Sequence, residues 1–232
     1  MRSSNDIINI KSRISDPYSV KDIIDETDIS SLIELFENTK NKTYKNTGPI
    51  TVDIPADTDH PIFLKILKQL ESHIGKFEIT SAFFFWTNFP HIIHNDDTFE
   101  LPAGVYKGIT IPLKIEGSAT PKLCFFDQFY FHGPAKFFQG SKNIPTYYNK
   151  QVYDYTEVDG WAGAMSFDES TRCSYLTHLL PSWLSGLTFW GALDWRPGNA
   201  LIFDSTRLHC ASDFRQQGIK SKLGISIFTK VP

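Results

Sequence analysis

From Phe77 onward the chain changes its hydrophobic period, and that change limits the folds open to it. Before Phe77, apolar residues recur at helical spacing. Ile62, Phe63, Ile66, Leu67, Leu70 and Ile74 form one stripe, Pro61 suits a first helical turn, and Gly75 suits a helix end. An earlier stripe of Leu32, Ile33, Leu35 and Phe36 predicts a helix from about Ile29 to Thr39, capped by Asp28. Ile50 to Ile54 alternates as a half-buried strand does, and residues 1–26 carry only weak strand-like fragments around a turn at Asp16-Pro17-Tyr18. After Phe77 the runs are short and rich in aromatic or β-branched residues. Glu78 to Thr87 reads as a buried strand. In the next run, Ile109, Ile111, Leu113 and Ile115 share one face, and Tyr106, Gly108 and Thr110 the other. Gly117 is expected to turn that strand back on Pro121 to Phe131 as an antiparallel hairpin. Further strands are expected at 188–191, 200–203 and 222–230.

Helices first and short strands afterwards predict an α+β chain, in which an antiparallel barrel or two-sheet jelly roll is packed by N-terminal helices. A length of 232 residues fits a single domain, with 1–77 as helical support and 78–230 as the barrel core. The span around 132–190 is longer than a few hairpins require and is expected to leave the core as an insertion of lid or binding-loop type. Within it, Tyr147, Tyr148, Tyr153, Tyr155 and Trp161 could line a substrate pocket or simply pack at the surface.

A net charge of −3 leaves no basic footprint for nucleic acid. Cys124, Cys173 and Cys210 are odd in number and widely spaced, which argues against a disulfide framework or a zinc knot. The polar N-terminus has no signal-like apolar stretch, and no run reaches membrane-spanning length, so a cytoplasmic enzyme is expected.

The chemistry gathers at His94-x-Asp96. In an extended strand those two side chains point the same way and could grip one ion. His209, just beyond a buried strand that ends at Asp204, is the candidate third ligand. Two imidazoles and one carboxylate on one face of a metal make the triad suited to non-haem Fe(II) and oxygen chemistry. His91 has no carboxylate two residues on, and His60, His73, His132 and His178 read as structural. Asp97 and Asp204 read as loop and turn carboxylates.

His94-x-Asp96 with the distant His209, the Pro197-Gly198-Asn199-Ala200 turn before it and the closing segment Lys222-Leu223-Gly224-Ile225-Ser226-Ile227-Phe228 together resemble the Fe(II)/2-oxoglutarate-dependent dioxygenases. The likeness lies on the side of the phytanoyl-CoA and prolyl hydroxylase-like enzymes and covers residues 78–230. It implies a double-stranded β-helix, iron held by His94, Asp96 and His209, and O2 and 2-oxoglutarate as cosubstrates. It implies hydroxylation of a small-molecule or side-chain substrate with release of succinate and CO2. On the same resemblance Lys222 anchors the far carboxylate of 2-oxoglutarate, with Lys220 as its rival and Thr110 or Tyr106 as a hydroxyl-bearing neighbour. The chain departs from the family in using Lys where Arg is usual, and in the wider spacing from His209 to Lys222. A cupin-like metal enzyme without a 2-oxo acid, and a non-catalytic jelly roll, remain the alternatives. A small metabolite, an acyl thioester and a protein side chain are all open as substrates.

Overall fold

The computed structural model describes residues 2–44, 49–97, 104–138, 151–152, 155–163 and 165–232. Its first element, α1 (Ser4–Lys11), stands where the sequence suggested strand fragments. The Ser3 hydroxyl accepts from the Asp6 N–H, and the Asp6 carboxylate accepts from the Ser3 N–H at 3.0 Å. This reciprocal cap starts a helix of low apolar periodicity. β1 (Tyr18–Val20) follows, then α2 (Glu26–Asn38). The cap of α2 is Asp25 rather than Asp28, because the Asp25 carboxylate accepts the Asp28 N–H at 2.9 Å. β2 (Thr43–Tyr44), β3 (Ile50–Asp53) and α3 (Pro61–Ile74) complete the N-terminal part, with Phe63, Ile66, Leu70 and Ile74 of α3 buried as their spacing requires.

Strands then dominate: β4 (Glu78–Thr87), β5 (Val105–Glu116), β6 (Lys122–Phe129), β7 (Lys136–Phe137) and β8 (Gln151–Val152). A 3₁₀ turn at Tyr155–Glu157 and two short helices, α4 (Glu169–Tyr175) and α5 (Pro181–Leu184), precede β9 (Phe189–Asp194), β10 (Ala200–Asp204), β11 (Arg207–Ala211) and β12 (Ser221–Lys230). The chain is therefore a mixed α and β protein whose strands pair antiparallel, except for the short parallel pair β7–β8. The large sheet runs β1-β10-β5-β12-β4-β3-β2, and a three-stranded sheet runs β11-β6-β9.

One face of the large sheet carries Phe84, Ile109, Ile111, Ile202 and Ile225, and α2 and α3 cover it with Leu32, Phe36, Phe63, Ile66 and Leu70. Its other face meets the three-stranded sheet, where Phe125 of β6 packs with Phe203 of β10 at 5.3 Å between rings and Trp195 and Leu201 join them. The expected β5–β6 hairpin does not form. Both edges of β5 are taken, by β10 and by β12, so the chain crosses at Gly117 to the other sheet, where β6 pairs with β11 and β9. A Cβ at Gly117 would sit 2.9 Å from the Ile219 Cα, so the crossing needs glycine's missing side chain.

The outer face of the three-stranded sheet is covered by the described part of the 132–190 span. Phe137, Phe138, Tyr155, Leu176, Trp183 and Leu184 pack there on Phe126, Leu208 and Cys210. The Tyr155 hydroxyl donates to the Trp183 carbonyl at 3.0 Å, so Tyr155 is core filling, and Trp161 packs on the same cluster. Tyr147, Tyr148 and Tyr153 lie outside the described residues. All three cysteines are free, with Cys124 and Cys210 buried opposite one another on β6 and β11. No described helix is long and apolar enough to cross a membrane.

Candidate metal centre

Backbone pairing brings the histidines together. His94 donates its N–H to the His209 carbonyl and receives the His209 N–H in return, both at 3.0 Å. Two residues on, the Asp96 N–H donates to the Ser205 carbonyl at 2.8 Å. The residues that alternate with this pair fasten the loop from behind. Asn95, fully buried, donates to the carbonyls of Tyr130 (3.1 Å) and Gly133 (3.0 Å) and accepts the Ala135 N–H (2.8 Å). The Asp97 carboxylate accepts from the Gly133 N–H at 3.1 Å and from the buried guanidinium of Arg2, which reaches Oδ1 at 2.6 Å and also donates to the Phe131 carbonyl at 3.0 Å. His94, Asn95, Asp96 and Asp97 all contribute to the cavity wall, and the Asp96 carboxylate is turned toward His94 and His209.

The three candidate ligand atoms lie within 4.8 Å of one another. The Asp96 Oδ1 is 3.5 Å from the His94 Nε2, and the Asp96 Oδ2 is 3.3 Å from the His209 Nε2. Each imidazole spends its other nitrogen on backbone: His94 Nδ1 donates to the Ile92 carbonyl at 2.7 Å, and His209 Nδ1 to the Arg207 carbonyl at 3.0 Å. Those contacts fix the tautomer and leave both Nε2 lone pairs converging on the carboxylate, as ligating histidines require. Burial, reinforced by the neighbouring imidazoles of His209 and His91, holds His94 well below the usual imidazole range and so keeps it neutral. Burial works to raise the Asp96 carboxyl, but attraction to His209 and then His94 outweighs it, and the group stays ionised below its ordinary value. Two imidazoles and a carboxylate within one ion's reach are a donor set that fits Fe(II), and no histidine or carboxylate beyond these three completes the cluster among the described residues.

The triad opens into a cavity of about 520 Å³ between the two sheets. Lys222 lines it from β12. It is 5% exposed, and its ammonium lies 4.7 Å from the Trp195 ring centre and 5.2 Å from that of Phe214. Burial pulls its pKa down to about 8. Thr110 lines the same cavity from β5, directly across from Ser226 of β12. Lys220 lies elsewhere. Its side chain is 78% exposed, outside the cavity and 3.8 Å from Glu116, because it precedes the first residue of β12.

Tyr106 is also displaced from the predicted face. Val105 pairs with Lys230 and Gly108 with Phe228, so three steps of β5 oppose two of β12. The extra residue is a β-bulge, which reverses the alternation. Val105 faces the cavity instead, and the Tyr106 hydroxyl donates to the Ile74 carbonyl at the end of α3, at 2.8 Å. Sequence reasoning passed over His91, which the structure places on the cavity wall with its Nδ1 3.3 Å from the His94 Nε2 and the ring centres 4.2 Å apart. It also missed Trp195 and Phe214, whose sequence signal is a single aromatic residue in each of the loops before β10 and before β12.

No protein-family profile matches the sequence, and no curated protein matches it. Solved structures do match. One is the non-haem alpha-ketoglutarate-dependent carbocyclase SnoK from nogalamycin biosynthesis, with a TM-score of 0.51, 12% identity, and coverage of 99% of this chain and 84% of that one. Another is HygX from Streptomyces hygroscopicus with nickel and 2-oxoglutarate bound, with a TM-score of 0.50, 11% identity, and coverage of 100% of this chain and 88% of that one. The chain thus shares, over essentially its whole length, the fold of these two proteins.

Proposed function

We propose that the chain is an Fe(II)- and 2-oxoglutarate-dependent oxygenase, its two facing sheets forming a double-stranded β-helix barrel supported by the N-terminal helices. The observation that carries this reading is one cavity holding both halves of the machinery: a His94, Asp96, His209 cluster that fits a divalent metal, and a buried lysine that fits the far end of a dicarboxylate. When bound, iron, 2-oxoglutarate and O2 supply the oxidising chemistry, placing one oxygen atom in the substrate and one in succinate, with CO2 released.

His94 and His209 would hold the metal through Nε2, and Asp96 through one carboxylate oxygen. Three protein ligands leave positions for a chelating 2-oxo acid and dioxygen. Lys222 would take the distal carboxylate of 2-oxoglutarate as a charge-assisted pair, and Thr110 would share that carboxylate through its hydroxyl. Trp195 and Phe214 hold the ammonium in place and exclude water from around it. Asn95 and Asp97 fix the loop that carries two of the three ligands.

Anaerobic titration with Fe(II) and then 2-oxoglutarate tests the reading through the weak visible charge-transfer band of the chelate. The wild-type protein should develop the band, and a His94→Ala, Asp96→Ala double variant should not. Equal metal uptake by both proteins would overturn the assignment.

A further inference from the structure

The inward row of β12 is Lys222, Gly224, Ser226 and Phe228, and it faces Thr87, Phe85, Phe83 and Ser81 of β4 in register. From Lys222 to Phe228 the row spans roughly 20 Å at the rise of an extended strand. Its two ends differ in chemistry. At one end the Lys222 ammonium sits among aromatic rings. At the other, Phe83 and Phe228 meet edge to face at 5.7 Å, both partly exposed to the cavity, with the hydroxyls of Ser81, Thr51 and Thr80 around them. The cavity's charged groups among the described residues are Lys222, the metal ligand Asp96 and Asp97, and Asp97 is already paired with Arg2. The far half therefore offers ring faces and hydroxyls but no described cation to meet an anion.

We propose that the far half of the cavity binds an uncharged small molecule with a flat apolar skeleton bearing hydroxyl or carbonyl groups, and that this is the substrate class. The inference rests on the oxygenase reading for which end 2-oxoglutarate takes. If the cosubstrate occupies the Lys222 end, the Phe83–Phe228 end is what remains beside the metal. A carboxylate, phosphate or sulfate placed there would lose its water without gaining a counter-charge from any described residue, which is unfavourable. A hydroxyl or carbonyl would instead find donors and acceptors in Ser81, Thr80 and Ser226. The volume, about 520 Å³ for both molecules, is that of a small-molecule site. Among the described residues, nothing in this half meets the phosphate charges of an acyl-coenzyme A thioester.

Equilibrium dialysis of the anaerobic Fe(II)- and 2-oxoglutarate-loaded protein tests this, with steroid diols and flavonoids as uncharged probes. Their monosulfate esters and hexanoyl-coenzyme A serve as the anionic ones. Retention is expected for uncharged probes, with the matched sulfates about ten-fold weaker or worse. Phe228→Lys should reverse that preference, and Ser81→Lys, at an exposed position on the same wall, should do so if the first variant fails to fold. Retention of the sulfates or of hexanoyl-coenzyme A at equal or higher affinity would overturn the inference, as would retention of no uncharged probe. The visible band read on the same samples keeps the two readings apart. Uncharged retention without the band removes the oxygenase and leaves the site, whereas the band with anionic retention does the reverse.

Discussion

His94 and His209 are hydrogen-bonded to each other through both backbone groups, each N–H to the other's carbonyl at 3.0 Å. Their rings start from one rigid backbone pair, so neither ligand depends on a mobile loop for its position. His94→Ala, Asp96→Ala and His209→Ala should accordingly keep the fold and lose the metal. Because removal of groups that merely orient ligands costs up to about a hundred-fold in affinity, loss of a ligand should cost at least that. Isothermal titration with Fe(II) or Ni(II), alongside circular dichroism of each variant, checks both halves of the expectation.

Lys222 is a buried charge maintained at the expense of stability. Its pKa of about 8 lies below the ordinary 10.5, so the unfolded chain binds the proton more tightly than the native one. The penalty is therefore present in full below pH 8, and stability contributed by this group rises as pH climbs from about 8 towards 10.5. Lys222→Met should stabilise the unliganded protein at neutral pH by on the order of a few kcal/mol, since the buried ammonium is held below its ordinary pKa. The same variant should abolish 2-oxoglutarate binding. In the wild type, 2-oxoglutarate affinity should hold below pH 8 and fall above it, by up to about ten-fold per pH unit, because the ammonium must be charged to bind a carboxylate. Urea melts and 2-oxoglutarate titrations across pH 6.5 to about 10 measure both effects.

Lys220→Ala and Tyr106→Phe provide the matching controls. Lys220 is exposed outside the cavity, and Tyr106 is turned toward α3, so neither should change 2-oxoglutarate affinity. Tyr106→Phe should cost about 1 kcal/mol of stability through its lost bond to the Ile74 carbonyl. A large rise in the Kd for 2-oxoglutarate in either variant would contradict the placement.

Gly224 lies between the two functional ends of β12, and a Cβ there would come within 2.8 Å of the Trp195 ring, 3.0 Å of the Ile111 carbonyl and 3.2 Å of the Phe85 ring. Gly224→Ala should cost about 1–3 kcal/mol by overpacking. It should also weaken 2-oxoglutarate binding, since the ring it displaces is the one under the Lys222 ammonium. Trp fluorescence with and without 2-oxoglutarate reports both.

Arg2→Ala should leave the buried Asp97 carboxylate without its guanidinium and cost about 3–5 kcal/mol, with metal affinity falling as the loop behind Asp96 loosens. Thermal melts in the presence and absence of Ni(II) separate the two losses.

How much of this was legible in the sequence depended on how local each signal was. The stripe of α3, the alternation of β3 and the aromatic run of β4 lie within a few residues of one another, and those elements formed where expected. The convergence of His94, Asp96 and His209 could be read because His94 and Asp96 are near neighbours and His209 follows a readable buried strand. Tyr106 was misplaced because a bulge depends on the partner strand, which no count along β5 can reveal. The β5–β6 hairpin failed for a similar reason: β12, more than a hundred residues later, occupies the edge that β6 would need. Asp25 shows a smaller failure, since Asp25 and Asp28 are both credible caps until the backbone fixes which one accepts. His91 was set aside for want of a carboxylate two residues on, although its ring lies against that of His94.

β12 is flanked on both sides by strands begun more than a hundred residues earlier, β4 and β5. Until β12 has been synthesised, β4 and β5 cannot be joined, and each presents an open edge to the solution. Closure of the large sheet and arrival of the lysine are thus a single late event in the life of the polypeptide. Pairing across such a separation makes for slow acquisition of structure, and deleting β12 would remove a central stave of the large sheet.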